Sequence, residues 1–482
     1  MRLLKKYNGI SKPAKASLWF VLCSMIQKCV SFLTTPLFTR LMSADDFGVL
    51  STYTSWQSIL AIFLTLDLFA GVYNKAMIQY EDDKDGYTSS TLVLSSLLSV
   101  TFLIAYMIFH SYIDSFLGLG FHLTILLVVQ TVFNTAMLFW IVRSRFEFEY
   151  RSIVFLTFGS LCFSIVLSVI LILYSNLYPA VSRILGMVIT DVVFGGICYI
   201  LILRKGKKAC HFAYWKYAVK YNLPLVPHYL AMQVLNQSDR IMINNICGPS
   251  FAGLYHVAYL LSFALNVFTN AIHASFSPWA YRKMKEGKYS DVGSVSNILI
   301  GGMLLLCILL SLIAPELLYI LGGEKYTEAK WIVPPVTFSV LFNMIYALVA
   351  TVSFYYEKTK KIMVGTLIAA VLNVALNAVF IPVFGYVAAG YTTLACYMCY
   401  ALVHFFITRK VCREAQINNP FNSKFLLAAA IIGVVCVGLI SGLYMTGRTR
   451  YFVILCFIIA ASGLLLKHVR KVKTLFINPQ ED

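Results

Sequence analysis

The chain has 482 residues and a formal net charge of +18, with 59% hydrophobic and only 12% charged residues. Soluble globular domains carry about a quarter charged residues, so this composition excludes an ordinary soluble globule. The connections between the apolar stretches are short, which leaves no room for a separate soluble domain.

Fourteen mainly apolar stretches are each long enough to cross a bilayer as a helix. Their approximate limits are 16–38, 50–72, 89–109, 121–142, 153–174, 180–203, 223–246, 252–275, 297–320, 331–355, 362–383, 386–408, 425–445 and 451–467. The first stretch is longer than the apolar core of a signal peptide and runs on to Pro36, so we expect it to remain uncleaved. The sequence therefore predicts an all-α polytopic membrane protein with about 14 transmembrane helices.

The basic residues are sorted between the two sides of the predicted membrane. Of the 39 Lys and Arg residues, 31 lie at the N-terminus, in alternate loops or in the C-terminal tail. Cytoplasmic loops are enriched in Lys and Arg, so this pattern predicts that both termini are cytoplasmic. The positive charge then reflects topology, and we expect no nucleic-acid partner.

The basic loop 204–220 divides the spans into two blocks of six, followed by two more. This predicts an N-terminal lobe at 1–205, a C-terminal lobe at 206–412, and two extra spans with the tail at 413–482. Placing Gly48 on Gly253 aligns a short external turn of each block, which indicates an internal repeat. Two related bundles around a central site are typical of secondary transporters, so the pattern favours a transporter over a channel or an enzyme.

The seventh span combines the length of a membrane helix with many polar residues. Tyr229, Gln233, Asn236 and Arg240 are spaced so that they share one stripe of a helix. Lipid offers no partners to such a stripe, so it should face the interior of the bundle. Two interpretations stay open for its amides: they line a path for a substrate, or they only hold helices together.

The ends of this span carry further signals. Pro224 and Pro227 predict a kink near the cytoplasmic end, with His228 beside it. Asp239 and Arg240 are adjacent, hence about 100° apart around a helix, so they should point to different neighbours.

Charged residues also occur within other spans. Lys28 lies near the middle of span one, too deep to reach either interface, and needs a carboxylate, a cavity or an anionic ligand. Asp67 in span two and Asp191 in span six are its obvious partners, and a purely structural ion pair is the alternative to a functional role.

Together these residues define a candidate site. The candidates for a cationic substrate cavity are Lys28, Arg183, His228, Gln233, Asn236 and Arg240. The candidates for ion coupling are Asp67, Asp191 and Asp239. Lysine and arginine inside such a cavity suit an anionic substrate such as a phosphate or pyrophosphate.

No enzyme motif occurs in the sequence. There is no G-x-x-x-x-G-K-[ST] loop for ATP and no H-E-x-x-H metal motif. Cys396 and Cys399 form a C-x-x-C without histidine or acidic companions, so they are best interpreted as small packing residues. We expect no catalytic residue, no metal and no bound cofactor.

Two motifs resemble a known family. The L-P-L-x-P-H at 223–228 with N-Q-S-D-R-I-M-I at 236–243, and P-L-F-T-R-L-M-S-A-D-D-F-G-V-L at 36–50, resemble polysaccharide-biosynthesis (Wzx-type) lipid-linked oligosaccharide flippases. These belong to the multidrug/oligosaccharidyl-lipid/polysaccharide exporter superfamily. The resemblance covers nearly the whole chain in span number and these segments in motif.

The resemblance implies two MATE-like lobes of six helices around a cationic cavity. It also implies transport of an undecaprenyl-pyrophosphate-linked oligosaccharide across the bacterial inner membrane, for O-antigen, capsule or exopolysaccharide synthesis. Energy from a proton or sodium gradient, contact with membrane lipids and a polysaccharide polymerase as partner are further expectations. The alternatives are a multidrug or cation antiporter, a flippase for the peptidoglycan-precursor lipid, and a membrane enzyme such as a glycan polymerase or ligase.

Overall fold

The computed structural model describes residues 12–71 and 73–477, and within these ranges the chain is helical and contains no β-strand. In chain order the helices are α1 (Lys12–Leu41), α2 (Ala44–Thr65), α3 (Tyr73–Gln79), α4 (Lys84–Leu117), α5 (Phe121–Phe146), α6 (Tyr150–Tyr174), α7 (Pro179–Gly206), α8 (Phe212–Asn222), α9 (Val226–Cys247), α10 (Pro249–Lys285), α11 (Tyr289–Leu312), α12 (Ala314–Gly322), α13 (Val333–Tyr355), α14 (Thr359–Phe384), α15 (Val387–Glu414), α16 (Ser423–Leu443) and α17 (Arg448–Ile477). All except the short α3, α8 and α12 have at least 21 residues.

Each of the fourteen long helices overlaps one predicted span, so the prediction of an all-α polytopic membrane protein is confirmed. Eleven of the described helices are also apolar enough to cross a membrane, and Thr449–Gly463 within α17 is a shorter apolar segment. Helix α9 is not among the eleven, because its polar residues lower its hydropathy.

Helix α2 is shorter than the predicted span two. It begins with a capping box, in which the Ser43 side chain accepts from the Asp46 backbone while the Asp46 carboxylate accepts from the Ser43 backbone. It ends at Thr65 instead of continuing to residue 72, because Leu66 and Asp67 adopt left-handed φ angles of 49° and 47°. Asp67 therefore follows the helix and does not lie in it.

The predicted kink in span seven is a break before the helix. Residues Leu223–Leu225 form a short 3-10 helix, and α9 begins after it at Val226. Pro227 lies in the first turn of α9. A backbone N–H at that position would have no partner within the helix, so proline, which lacks it, is tolerated there. The helical path is therefore interrupted at the predicted prolines, near the start of span seven, and α9 itself is a continuous helix from Val226.

The predicted span nine consists of two helices. The chain leaves the α-helical conformation at Ile313, between α11 and α12, and Pro315 lies in the first turn of α12. Proline is tolerated at that position but not in a helix interior, which explains why the apolar run does not form a single helix.

Contacts divide the chain into two compact units, Met1–His256 and Val257–Asp482. In the first unit, α2 packs along α9, and α7 packs against both α5 and α6. In the second unit, α13 and α14 each pack against α15. The lobes predicted from the sequence, 1–205 and 206–412 with the extra spans 413–482, stay a prediction.

The first turns of α2 and α10 approach each other at two glycines. A Cβ atom added to Gly48 would lie 1.8 Å from the carbonyl oxygen of Pro249, and one added to Gly253 would lie 2.0 Å from that of Ala44. The contacts are reciprocal, because each glycine faces the residue four positions before the other glycine. Small residues allow such close backbone approach between membrane helices. This reciprocity supports the repeat that places Gly48 on Gly253.

Candidate functional site

Helix α2 lies between two polar networks of the first unit. Ser51 and Ser55 are four residues apart, so they share one face of α2 and contact α9 and the start of α10. Tyr53 points instead to α5, where its hydroxyl donates to Gln130 Oε1 at 2.8 Å. The first network contains Arg240 and the second contains Asp191.

Arg240 is half-buried in α9. Its Nη1 donates to the side-chain oxygen of Gln237, and this oxygen also accepts from Ser55 Oγ at 3.2 Å. His256 of α10 lies near Arg240, and its Nδ1 is 3.1 Å from Ser51 Oγ. The arrangement places the positive charge of Arg240 beside α2, within the first unit.

Asp239 points to a different neighbour from Arg240. Its side chain is buried, and Oδ2 accepts a hydrogen bond from the Tyr255 hydroxyl of α10 at 2.8 Å. Consecutive helical residues are about 100° apart, which explains why Asp239 and Arg240 join different groups.

The other predicted residues of span seven lie on the same helix. Asn236 Nδ2 donates to the Met232 carbonyl oxygen at 2.7 Å, one turn earlier in α9. Gln233 and His228 are half-buried, and within the described residues Nδ1 of His228 is buried without a hydrogen-bond partner. The four residues of the predicted stripe therefore lie along one continuous helix, α9.

Asp191 belongs to the second network, on α7. Its Oδ2 accepts from Gln130 Nε2 at 2.8 Å, and Asn134 donates a second side-chain hydrogen bond to the carboxylate. Gln130 is itself fixed, because its oxygen accepts from Tyr53. The carboxylate faces a cavity of about 390 Å³ lined by α1, α2, α5, α6, α7 and the turn after α2.

Arg183 belongs to neither of these networks of described residues. Arg183 Nη1 donates to Ser168 Oγ at 2.6 Å, and its guanidinium lies 4.2 Å from the centre of the Phe38 ring. These contacts join α7 to α6 and α1, as interhelical hydrogen bonds in membranes commonly do. The Lys28 side chain lies outside the described residues, so its predicted role stays a prediction.

Asp67 lies in the turn that follows α2, and its charge interacts with Tyr229 of α9. The structure thus places the predicted site residues of the first unit in different surroundings. Asp239 contacts Tyr255 near the start of α10 and Arg240 contacts Gln237 on its own helix, whereas Asp191 faces the cavity that α2 helps to line.

Sequence reasoning missed several members of these networks. Gln130 and Asn134 are four residues apart in the predicted span 121–142, so they share one helix face, and this spacing was the available signal. Gln237 precedes Arg240 by three residues, which places their side chains side by side in a helix. No sequence signal connected His256 to Arg240.

The fold with its charged residues inside the helices defines a multi-pass membrane protein of transporter architecture. It is similar to the lipid II flippase MurJ in an inward closed conformation, with a TM-score of 0.72 and 14% identity, covering 94% of this chain and 100% of that chain. It is also similar to an inward-facing multidrug resistance MATE family transporter of the MOP superfamily, with a TM-score of 0.55 and 14% identity, covering 81% of this chain and 99% of that one. The predicted MATE-like architecture is confirmed.

The chain belongs to the polysaccharide biosynthesis protein family, which matches residues 14–284, more than half of its length. Two proteins of Haemophilus influenzae are similar to it. An uncharacterized membrane protein is 23% identical over 367 residues, covering 72% of this chain and 85% of that protein. The Lsg locus putative protein 1 is 24% identical over 373 residues, covering 76% of this chain and 90% of that protein. The family predicted from the motifs is confirmed.

Proposed function

We propose that this protein is a flippase for a lipid-linked oligosaccharide in surface polysaccharide biosynthesis. The substrate would be an undecaprenyl-pyrophosphate repeat unit, moved from the cytoplasmic to the outer leaflet of the bacterial inner membrane. The observation that carries this proposal is Arg240, a half-buried guanidinium on α9 that donates to Gln237, whose side-chain oxygen also accepts from Ser55. The family match gives the pathway class.

The chemistry of Arg240 suits the head group of this substrate. A charged side chain at membrane depth is costly unless it has a partner or a wet cavity, so its presence points to a functional position. A guanidinium presents planar donors that match the oxygens of a phosphate, and such charge-assisted hydrogen bonds are stronger than neutral ones. Arg240 would bind the pyrophosphate through these donors.

Alternating access would move the bound head group between the two sides, with both termini cytoplasmic. A proton or sodium gradient is the proposed energy source, and the coupling residue would be one of the three candidates Asp67, Asp191 and Asp239. A polysaccharide polymerase of the same pathway would take the product at the outer leaflet.

The direct test uses a deletion strain that lacks a redundant flippase. Loss of the gene should trap lipid-linked repeat units at the cytoplasmic leaflet and remove the surface glycan. The measurement is the leaflet distribution of the lipid intermediate together with the amount of surface glycan. Normal surface glycan without accumulated intermediate contradicts the proposal.

Complementation of this strain tests the proposed phosphate contact. Arg240→Ala should lower transport about tenfold or more, because a hydrogen bond to a charged group contributes about 1.5–3 kcal/mol. Lys28→Ala is also expected to lower transport. The matched control is Arg40→Ala, which removes an exposed arginine at the end of α1 and should leave transport unchanged. Membrane abundance is measured in parallel, and loss of both inactive variants from the membrane would indicate a structural role instead.

A multidrug or cation antiporter is the second candidate function. It is favoured by the carboxylate of Asp191, which faces a cavity in the first unit, because a carboxylate suits an organic cation. This candidate predicts that Asp191→Asn abolishes efflux of a cationic dye such as ethidium while surface glycan stays normal. A flippase for the peptidoglycan-precursor lipid is separated from the leading proposal by transport assays with the two lipids.

A further inference from the structure

The cavity beside Asp191 has a distinct chemistry. Its polar lining includes uncharged amides and hydroxyls from four helices: Gln27, Gln57, Ser58, Gln130, Asn134 and Ser160. Phe69 adds an aromatic face. Among the described residues that line it, Asp191 is the one that can ionise. At about 390 Å³ the cavity lies within the range that small-molecule ligands occupy.

The Asp191 carboxylate is oriented by its neighbours. Gln130 Nε2 and Asn134 donate to it, and the Tyr53 hydroxyl occupies the oxygen of Gln130, so the Gln130 amide cannot reverse its orientation without losing a bond. Tyr53 is fully buried and Gln130 is 2% exposed. The cavity therefore presents a fixed acceptor, and its charge is not neutralised by a cation among the described lining residues.

This arrangement is better suited to hydroxyl groups than to a pyrophosphate or a metal ion. A pyrophosphate would meet the like charge of Asp191 at short range. A metal ion would require oxygens to converge on it, whereas Gln130 turns its N–H toward the carboxylate and its oxygen toward Tyr53. Sugar hydroxyls both donate and accept, which matches a carboxylate surrounded by amides and hydroxyls.

We propose that this cavity binds the sugar head group of the lipid-linked substrate, and that Asp191 selects neutral or amino sugars over uronic acids. The inference rests on the proposed flippase function and deepens it, since it assigns the sugar to one place and the pyrophosphate to Arg240. Asp191 is the specificity residue because a sugar carboxylate would be repelled by it, whereas a hydroxyl or an ammonium group would donate to it.

The test measures binding to the purified full-length protein in nanodiscs. The probes are undecaprenyl pyrophosphate alone and the same lipid carrying either glucose or glucuronic acid, two sugars that differ only at carbon six. The wild-type protein should bind the glucosyl lipid about tenfold more tightly than the glucuronyl lipid, which corresponds to about 1.4 kcal/mol. Asp191→Asn, of nearly the same shape, should reduce this ratio below about threefold without weakening undecaprenyl pyrophosphate.

Two further variants keep the test decisive. Gln57→Ala truncates a half-buried lining residue, so the fold should persist, and it should weaken the glucosyl lipid about threefold to tenfold while sparing undecaprenyl pyrophosphate. Asp114→Asn is the matched control, because this carboxylate contacts Tyr106 and Thr124 away from the cavity. It should leave all three affinities unchanged.

The outcomes separate the inference from the function on which it rests. If none of the three lipids binds, the flippase proposal itself fails, and the inference fails with it. If all three bind equally and Asp191→Asn changes nothing, the sugar assignment is overturned while the flippase proposal stands. If sodium chloride alone gives a binding isotherm that Asp191→Asn abolishes, with no sugar discrimination in either protein, the cavity is a cation site and the inference is overturned.

Discussion

Tyr255 donates its hydroxyl to Asp239 in a buried contact between α9 and α10. Tyr255→Phe removes this donor and keeps the ring, so the carboxylate loses part of its solvation. Leaving a buried acceptor short of a partner costs about 1–3 kcal/mol. We expect a lower melting temperature of the purified protein, whereas Tyr112→Phe, at an 81% exposed position, should not change it. An unchanged melting temperature with lost transport would instead favour a coupling role for Asp239.

At the scale of single residues, the sequence identified the charges but not their partners. The helical period alone predicted that Asp239 and Arg240 contact different neighbours, because the angle between consecutive helical residues is a local property. The contact between Asp191 and Gln130 joins positions 61 residues apart, and it depends on how α5 and α7 are rotated against each other. No local pattern fixes that rotation, so this network could only be found in the structure.

At the scale of helices, the crossing of α2 and α10 allows a sharp test. Gly48→Ala places a methyl group where the Pro249 carbonyl oxygen lies, so one of the two helices must move. We expect reduced membrane abundance and a lower melting temperature. The matched control is Gly301→Ala in α11, where an added Cβ meets nothing within 4 Å. There the gain in helix propensity, about 1 kcal/mol, should leave the protein as stable or slightly more stable.

If Gly48→Ala is as stable as Gly301→Ala, the close approach of α2 and α10 is wrong. Gly253→Ala repeats the test on the reciprocal contact with Ala44. Because both glycines occupy equivalent places in the proposed repeat, the two substitutions should have similar effects. A large effect at only one position would speak against the symmetry of the crossing.

Helix number was predictable because the length of an apolar run is a local signal that the bilayer imposes. Helix ends were less predictable, since they depend on backbone geometry that composition does not reveal. Leu66 and Asp67 end α2 in left-handed conformations that are unusual for residues other than glycine. In the sequence alone, Pro227 is compatible with a kink inside a helix or with the start of a helix. In the structure it lies in the first turn of α9.

At the scale of the whole molecule, the charge pattern and the fold give complementary information. The distribution of Lys and Arg predicts which ends of the helices face the cytoplasm, but it contains nothing about how the helices pack. The helix arrangement is similar to those of the lipid II flippase MurJ and of a MATE family transporter. The motifs alone indicated such an arrangement, but they did not specify how the helices pack. The orientation in the membrane stays a prediction and can be measured directly.

Two positions at opposite ends of α7 test this orientation. Cys210 is exposed between α7 and α8, and Tyr178 is 81% exposed between α6 and α7. In a protein whose other cysteines are replaced, a membrane-impermeant maleimide should not label Cys210 in intact spheroplasts but should label it after permeabilisation. Tyr178→Cys, in a background that also lacks Cys210, should be labelled before permeabilisation. The reverse pattern would invert the predicted topology, and with it the direction in which Arg240 would receive its substrate.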